Sequence, residues 1–392
     1  MQDKTKFIQE IAKSKEPWQY LAAFFALYNY KQDPTTIIHL PILYLASCSG
    51  LQHLSAITKE VSLAKNTNVI ALSDNPREDK PADFYSLVLN RTNLNLSIDK
   101  NENLRNIKLD RAAIKRSVMT VPYYISLTGM GDQLIENFKV IWQDNESRIL
   151  VPGEYTINNT DMVISWKDMG VLQRELLTKL VYNTINLELP SLKTLNKYLR
   201  DLIKIITHFN LPISWITPAG MKINLSTVKL NKVRTNLSLV KSGRTKITLN
   251  LPTKTLNVKS IVTSFMPNLV HSLDASNIYL LVEALAHDYQ SFPLYTIHDC
   301  FQRRPNNMGE LEDRIKTAFI KMYLEKPYLL QLEEFILKDL SNIKGLEIVD
   351  NKIIVEGVDS GLIFPTIPKN FLVKENDSLF ETGLRASRYF IS

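Results

Sequence analysis

Pro41-Ile42-Leu43-Tyr44-Leu45-Ala46-Ser47-Cys48-Ser49-Gly50-Leu51-Gln52-His53 is the stretch on which the fold turns. Residues 37–45, punctuated by Pro41 after Pro34, form an apolar run that predicts a buried strand. Ser49 and Gly50 then open a helix whose apolar positions Leu51, Leu54, Ile57 and Val61 keep helical spacing. Small residues at a strand-to-helix junction let a ligand or a second backbone come close, and a helix N-terminus attracts anions. Helix-capping serines explain the same letters more plainly.

Outward from that junction, helical patterns cover residues 6–30, 84–98, 105–119, 172–187, 192–209, 275–286 and 311–324. Pro122 disturbs the end of the third, and the Pro-bearing segment 73–82 reads as a loop. Residues 294–297 predict a short strand, and 347–355 a small hairpin across Asp350-Asn351. Residues 140–169 give no clear pattern. The class is therefore α+β, mainly helical, without repeats or low-complexity tracts.

Of 392 residues 45% are hydrophobic and 22% charged, which excludes a disordered or fibrous chain. No apolar run approaches the roughly 20 residues of a membrane span. The start, MQDKTKFIQE, resembles neither a signal nor a transit peptide. Two cysteines, Cys48 and Cys300, cannot make a disulfide framework, which favours a reducing compartment. Charge is unevenly placed. Residues 202–273 hold no Asp or Glu but ten cations: Lys204, Lys222, Lys229, Lys232, Arg234, Lys241, Arg244, Lys246, Lys254 and Lys259. Against a total of +7, the remainder nets −3. A bland solvated face mixes both signs, so this field points to phosphate. Lys246-Ile247-Thr248-Leu249-Asn250-Leu251 alternates like a strand, with Ser242-Gly243 as a hairpin turn.

Two further runs carry possible chemistry. In Arg111-Ala-Ala-Ile-Lys115-Arg116-Ser-Val-Met119-Thr-Val-Pro-Tyr123, Arg111 and Lys115 project from one helix face. Such neighbours repel unless an anion bridges them, as a triphosphate would, although a solvated basic face fits equally. In Leu294-Tyr-Thr-Ile-His298-Asp299-Cys300, an acid ends an apolar strand, a placement suited either to a divalent cation or to an ordinary turn. A zinc site from Cys48, His53, His298 and Cys300 is a remote alternative, because the His-x-Cys spacing is tight.

In this order, the three runs resemble the single-subunit, phage-type RNA polymerases, most closely their mitochondrial and mitochondrial-plasmid members. That family's first motif, an Asp, a small residue and S/T-C-S/N-G-x-Q-H, is met from Ser47 to His53. The second, R-x-x-x-K-R/K-x-x-M-T-x-x-Y, is met by Arg111, Lys115, Arg116, Met119, Thr120 and Tyr123. The third, H-D-S/C, is met by His298, Asp299 and Cys300. A P-N-x-V-H-S-x-D stretch appears as Pro267, Asn268, Val270, His271, Ser272 and Asp274. Trp215–Gly220 and the opening Glu16-Pro17-Trp18 also look like the family.

The resemblance implies a right-hand fold with a small antiparallel palm sheet. Residues 1–66 would be palm, 67–210 fingers, 211–265 a basic hairpin like the family's promoter-reading loop, and 266–392 the rest of the palm. It implies two Mg²⁺ ions, with Asp299 as metal ligand and catalytic residue and Lys115 as a catalytic proton donor to pyrophosphate. Arg111 would grip the phosphates, Tyr123 would sense the ribose 2′-hydroxyl, and His271 would lie near the hybrid's minor groove. Implied partners are a DNA template, nascent RNA and ribonucleoside triphosphates. A DNA polymerase of the same right-hand class fits the second and third motifs less fully.

One departure is serious. The family's first catalytic Asp corresponds to Leu45, and the nearest preceding acid, Asp33, lies twelve residues upstream. Leucine offers no metal oxygen, so the expectation is strongly impaired synthesis unless another acid or a separate N-terminal polymerase fragment or transcription factor compensates. A nucleic-acid-binding remnant without catalysis is the alternative. The resemblance also implies that the family's N-terminal promoter and thumb regions are missing. The mitochondrial likeness, with abundant Ile, Asn, Lys and Leu, suggests a gene carried inside the organelle.

Overall fold

In the computed structural model the described residues are 4–73, 75, 78–105, 107–135, 138–140, 154–157, 163–165, 171–237, 245–288 and 292–391. Helices α1 (Lys4–Lys13) and α2 (Pro17–Gln32) replace the single helix expected over 6–30. The break is set by Pro17, which suits a first helical turn but cannot continue the helix before it. Strand β1 (Ile42–Leu45) is shorter than the expected run and largely exposed, not buried. It leads into α3 (Ser49–Thr58) and α4 (Val61–Asn66). Every residue of α3 from Leu51 to Thr58 is buried, so the apolar stripe understated its depth.

Next come α5 (Phe84–Ser97), α6 (Glu102–Arg105), α7 (Arg111–Thr120) and α8 (Leu127–Ile135). The helix expected over 105–119 thus begins only at Arg111. Asp110 caps α7 by accepting a hydrogen bond from the Ala113 N–H at 2.8 Å, a start signal that outranks the apolar period. Strands β2 (Phe138–Val140), β3 (Glu154–Ile157) and β4 (Val163–Ser165) form a small antiparallel sheet. Most of the patternless segment 140–169 lies outside the described residues. Helices α9 (Val171–Glu188) and α10 (Pro190–His208) follow as expected.

Strands β5 (Ile213–Ile216) and β6 (Lys222–Leu225) pair antiparallel, and Gly220 supplies the left-handed turn between them at φ 81°. The basic segment folds into a ribbon of β7 (Val228–Leu237) and β8 (Thr245–Leu256); the expected Ser242-Gly243 turn lies outside the described residues. Helix α11 (Val258–Asp288) is longer than the expected 275–286 and runs through Pro267. Its buried Ile261, Phe265, Met266, Leu269, Val270 and Leu273 outweigh the ~3 kcal/mol that an interior proline costs.

The central sheet has the order β1-β10-β9, built from β9 (Tyr295–Ile297) and β10 (Cys300–Arg303). Helices α12 (Met308–Tyr323) and α13 (Tyr328–Ser341) follow, then the meander β11 (Leu346–Val349), β12 (Lys352–Val355) and β13 (Val358–Ile363). The hairpin across Asp350-Asn351 forms as expected, both residues being left-handed. Helix α14 (Asp377–Ala386) closes the chain against α12. The fold is mainly helical with small antiparallel sheets, and no described helix is long and apolar enough to cross a membrane.

Candidate functional site

Hydrogen bonding and register bring the first and third sequence runs together. Leu45 pairs with Cys300, Tyr44 with Phe301, and the Ala46 N–H donates to the Asp299 carbonyl at 3.2 Å. His298 takes a left-handed conformation at φ 53°, turning β9 back into β10 and leaving Asp299 at the bend. The Leu45 side chain is 43% exposed one position from that bend.

The serines do not cap α3; the N-cap is Cys48, with no side-chain cap bond. Ser49 instead hydrogen-bonds Asp299. Ser47 Oγ donates to the Thr67 carbonyl at 3.2 Å and accepts from Gln52 Nε2 at 3.2 Å and Asn68 Nδ2 at 3.1 Å. Gln52 also reaches the Phe390 carbonyl at 3.0 Å, so its task is to tie the C-terminal segment to α3.

The close approach that Gly50 allows is made by a side chain. A Cβ there would stand 2.5 Å from the Tyr123 hydroxyl. Tyr123 follows α7, and its ring lies 5.7 Å from that of His271 on α11, so three separated runs meet at Gly50. Burial, with Asp274, Cys48 and Asp299 nearby, pushes the Tyr123 phenol well above its usual value, and the hydroxyl stays protonated.

Arg111 does have an anion, and it is internal. Its Nε and one terminal nitrogen donate to the two Asp83 oxygens at 2.7 and 3.1 Å. Burial alone would raise the Asp83 carboxyl, but hydrogen bonds from Arg111 and Ser86 bring it below its usual value, and the bond to Asp83 raises Arg111 in turn. Arg111 and Lys115 both lie over the Tyr85 ring, 5.2 and 5.7 Å from its centre. The Tyr85 hydroxyl donates to Cys48 Sγ at 3.1 Å. Burial raises the Cys48 thiol; Asp299 adds to that shift and Lys115 opposes it.

Behind Asp299 lies a relay. His53 is buried, its Nε2 2.9 Å from Asp274 Oδ1 and its Nδ1 2.6 Å from the Tyr323 hydroxyl. Tyr323 is pushed far above its usual value by burial and keeps its proton, and His53 bridges it to Asp274. Burial, reinforced by the Asp274 charge, raises the Asp299 carboxyl. With both ring nitrogens of His53 engaged, the zinc alternative fails. Among the described residues no three of His, Cys, Asp and Glu converge to hold a metal. Asp83, Tyr85, Tyr323 and Asn277 were missed in the sequence. Asp83, directly before a helix start, carried an N-cap signal that could have found it.

A family model described as DNA-dependent RNA polymerase matches residues 2–358. A probable DNA-directed RNA polymerase of Agaricus bitorquis is 36% identical over 417 residues, covering 99% of this chain and 37% of that protein. Its counterpart in Neurospora crassa is 30% identical over 393 residues, covering 97% and 43%. A mitochondrial DNA-directed RNA polymerase of Mus musculus is 26% identical over 353 residues, covering 86% and 26%. The chain belongs to the DNA-dependent RNA polymerase family. It spans about two-fifths of the length of the first two relatives.

Proposed function

We propose that the chain forms the palm and fingers of a DNA-directed RNA polymerase, divided as 1–66, 67–210, 211–265 and 266–392, whose own templated synthesis is strongly impaired. Arg111 and Lys115 receive the triphosphate, Tyr123 and His271 read the nucleotide and the duplex, and Asp299 is the surviving palm acid. The template, nascent RNA and ribonucleoside triphosphates are its partners; a mitochondrial site of action is supported by the mitochondrial relative, and an organelle-borne gene by that likeness together with the abundant Ile, Asn, Lys and Leu.

One observation carries the impairment: Leu45 stands opposite Cys300, beside Asp299, where the family's other acid would complete a metal-binding pair. The residues present do not fit a two-Mg²⁺ centre, so no step is routed through one. Losing a central electrostatic partner costs on the order of a thousandfold in rate. Mg²⁺-dependent RNA extension on a primed template, unaltered chain against Leu45→Asp, is the test. Slow extension rescued by Leu45→Asp supports the reading, and brisk extension by the unaltered chain overturns it.

The ribbon favours a second reading, nucleic-acid binding without catalysis. In register, Lys232, Arg234 and Lys246 share one face with Thr248 and Asn250, while Val233, Ile247 and Leu249 share the other. Lys232, Arg234 and Lys246 are exposed. DNA affinity falling steeply with salt, and less steeply after Lys232→Ala, Arg234→Ala and Lys246→Ala together, would support it. A flat salt response would remove it.

A further inference from the structure

Helix α7 runs into a single 3₁₀ turn, Val121–Tyr123, and the chain leaves it through two nested backbone hydrogen bonds. The Tyr124 N–H donates to the Val121 carbonyl at 3.2 Å, and the Ile125 N–H to the Thr120 carbonyl at 3.4 Å. This pattern closes a helix when the residue just past its last turn is left-handed. Here that residue is Tyr124, at φ 62° and ψ 37°. Glycine is the usual choice, because a Cβ crowds the neighbouring backbone in this region and a bulky side chain is an outlier there. A tyrosine kept in such a conformation needs a hold from outside the turn.

That hold is Arg200, on α10. Its guanidinium carbon lies 4.4 Å from the centre of the Tyr124 ring, the shortest cation–ring distance among the described residues. Arg200 has no carboxylate partner among the described residues, so the ring is what fixes its side chain. Tyr124 in turn packs against the core. Burial pushes its phenol up to about 12, against the pull of the Arg200 charge, so the hydroxyl keeps its proton.

Tyr123, one residue back, is placed by contact: its hydroxyl abuts Gly50, and its ring lies tilted beside that of His271. The turn that carries it therefore sets its direction. We propose that Tyr124 and Arg200 are positioning residues for Tyr123, the cation–ring contact locking the left-handed turn and so fixing where the Tyr123 hydroxyl meets the sugar of an incoming nucleotide. This deepens, and rests on, the reading of Tyr123 as the group that senses the ribose 2′-hydroxyl. Arg200 and Tyr124 act through the backbone, not by touching the nucleotide.

The test compares the full chain's equilibrium affinity, on a primed template, for a ribonucleoside triphosphate and for its 2′-deoxy counterpart, a measurement that needs no turnover. Arg200→Ala should shrink the preference for the ribonucleotide by about threefold, as expected for one lost cation–ring contact, and Arg200→Lys should recover part of it. Tyr124→Gly suits the left-handed position but lacks the ring, and should shrink the preference alike. Circular dichroism melts identify a variant that fails to fold, and the other then carries the comparison. In the absence of nucleotide, 3-fluorotyrosine at position 123 should give one sharp fluorine resonance in the unaltered chain and a broadened or split one in Arg200→Ala. If Tyr123→Phe lowers the preference but a folded Arg200→Ala or Tyr124→Gly does not, the proposal is overturned and the reading of Tyr123 stands. If Tyr123→Phe changes nothing, or neither nucleotide binds, that reading falls and the fluorine resonance decides: unperturbed in Arg200→Ala, it overturns the positioning role, and broadened, it upholds it.

Discussion

The Arg111–Tyr123 run and strand β1 differ in what they retain. On the α7 side, every side chain expected to handle a nucleotide is present and held: Arg111 by Asp83, Lys115 over Tyr85, and Tyr123 against Gly50. On the β1 side, the scaffold is intact and carries no acid. The strand pairs in full register with β10, and its last residue is an aliphatic side chain beside an acid. Sheet register is fixed by backbone hydrogen bonds and by the buried Phe301 face, so a change at an exposed position such as Leu45 leaves the architecture in place.

The largest expected effect lies on the β1 side. Leu45→Asp should raise primed RNA extension by on the order of a thousandfold, and a rate within threefold of the unaltered chain would erase the contrast. At the seam, Gly50→Ala drives a methyl group into the Tyr123 hydroxyl and should cost about 1–3 kcal/mol in chemical denaturation. Tyr123→Phe removes the struck atom, so the double variant should recover part of that loss; strict additivity would show that the two residues do not meet.

On the α7 side, Asp83→Asn releases Arg111 from its internal anion. Triphosphate affinity, read by calorimetry, should rise a few-fold, about 1 kcal/mol, while Arg111→Ala should lower it. The smallest effect is pH-dependent. The folded Asp83 carboxyl titrates below its unfolded value, so its ion pair contributes stability above the unfolded value. That contribution disappears as pH falls through the folded one. The melting-temperature gap between the unaltered chain and Asp83→Asn should therefore close below about pH 4.

Much of this was legible in the letters. The α5 and α9–α10 helices, the β8 alternation and the Asp350-Asn351 turn follow from local rules, and the three motif runs marked where to look. Local rules failed where a start signal cut a period, as Pro17 and Asp110 did, and where tertiary burial carried α11 through Pro267. The ribbon's alternation was real, but both of its faces are largely exposed, because alternation reports a strand and not what covers it.

By itself the sequence determined the family, the mixed helical class, the acid-free basic stretch and the acid-free run around Leu45, since each is a property of residue order and type. Only the folded chain decided that Arg111 already has Asp83, that Gly50 makes room for Tyr123, and that His53 holds Asp274 beside Asp299. Those pairings join positions 28, 73 and 221 residues apart. Electrostatics and steric contact act over a few ångströms of space, and separation along the chain carries no measure of that distance.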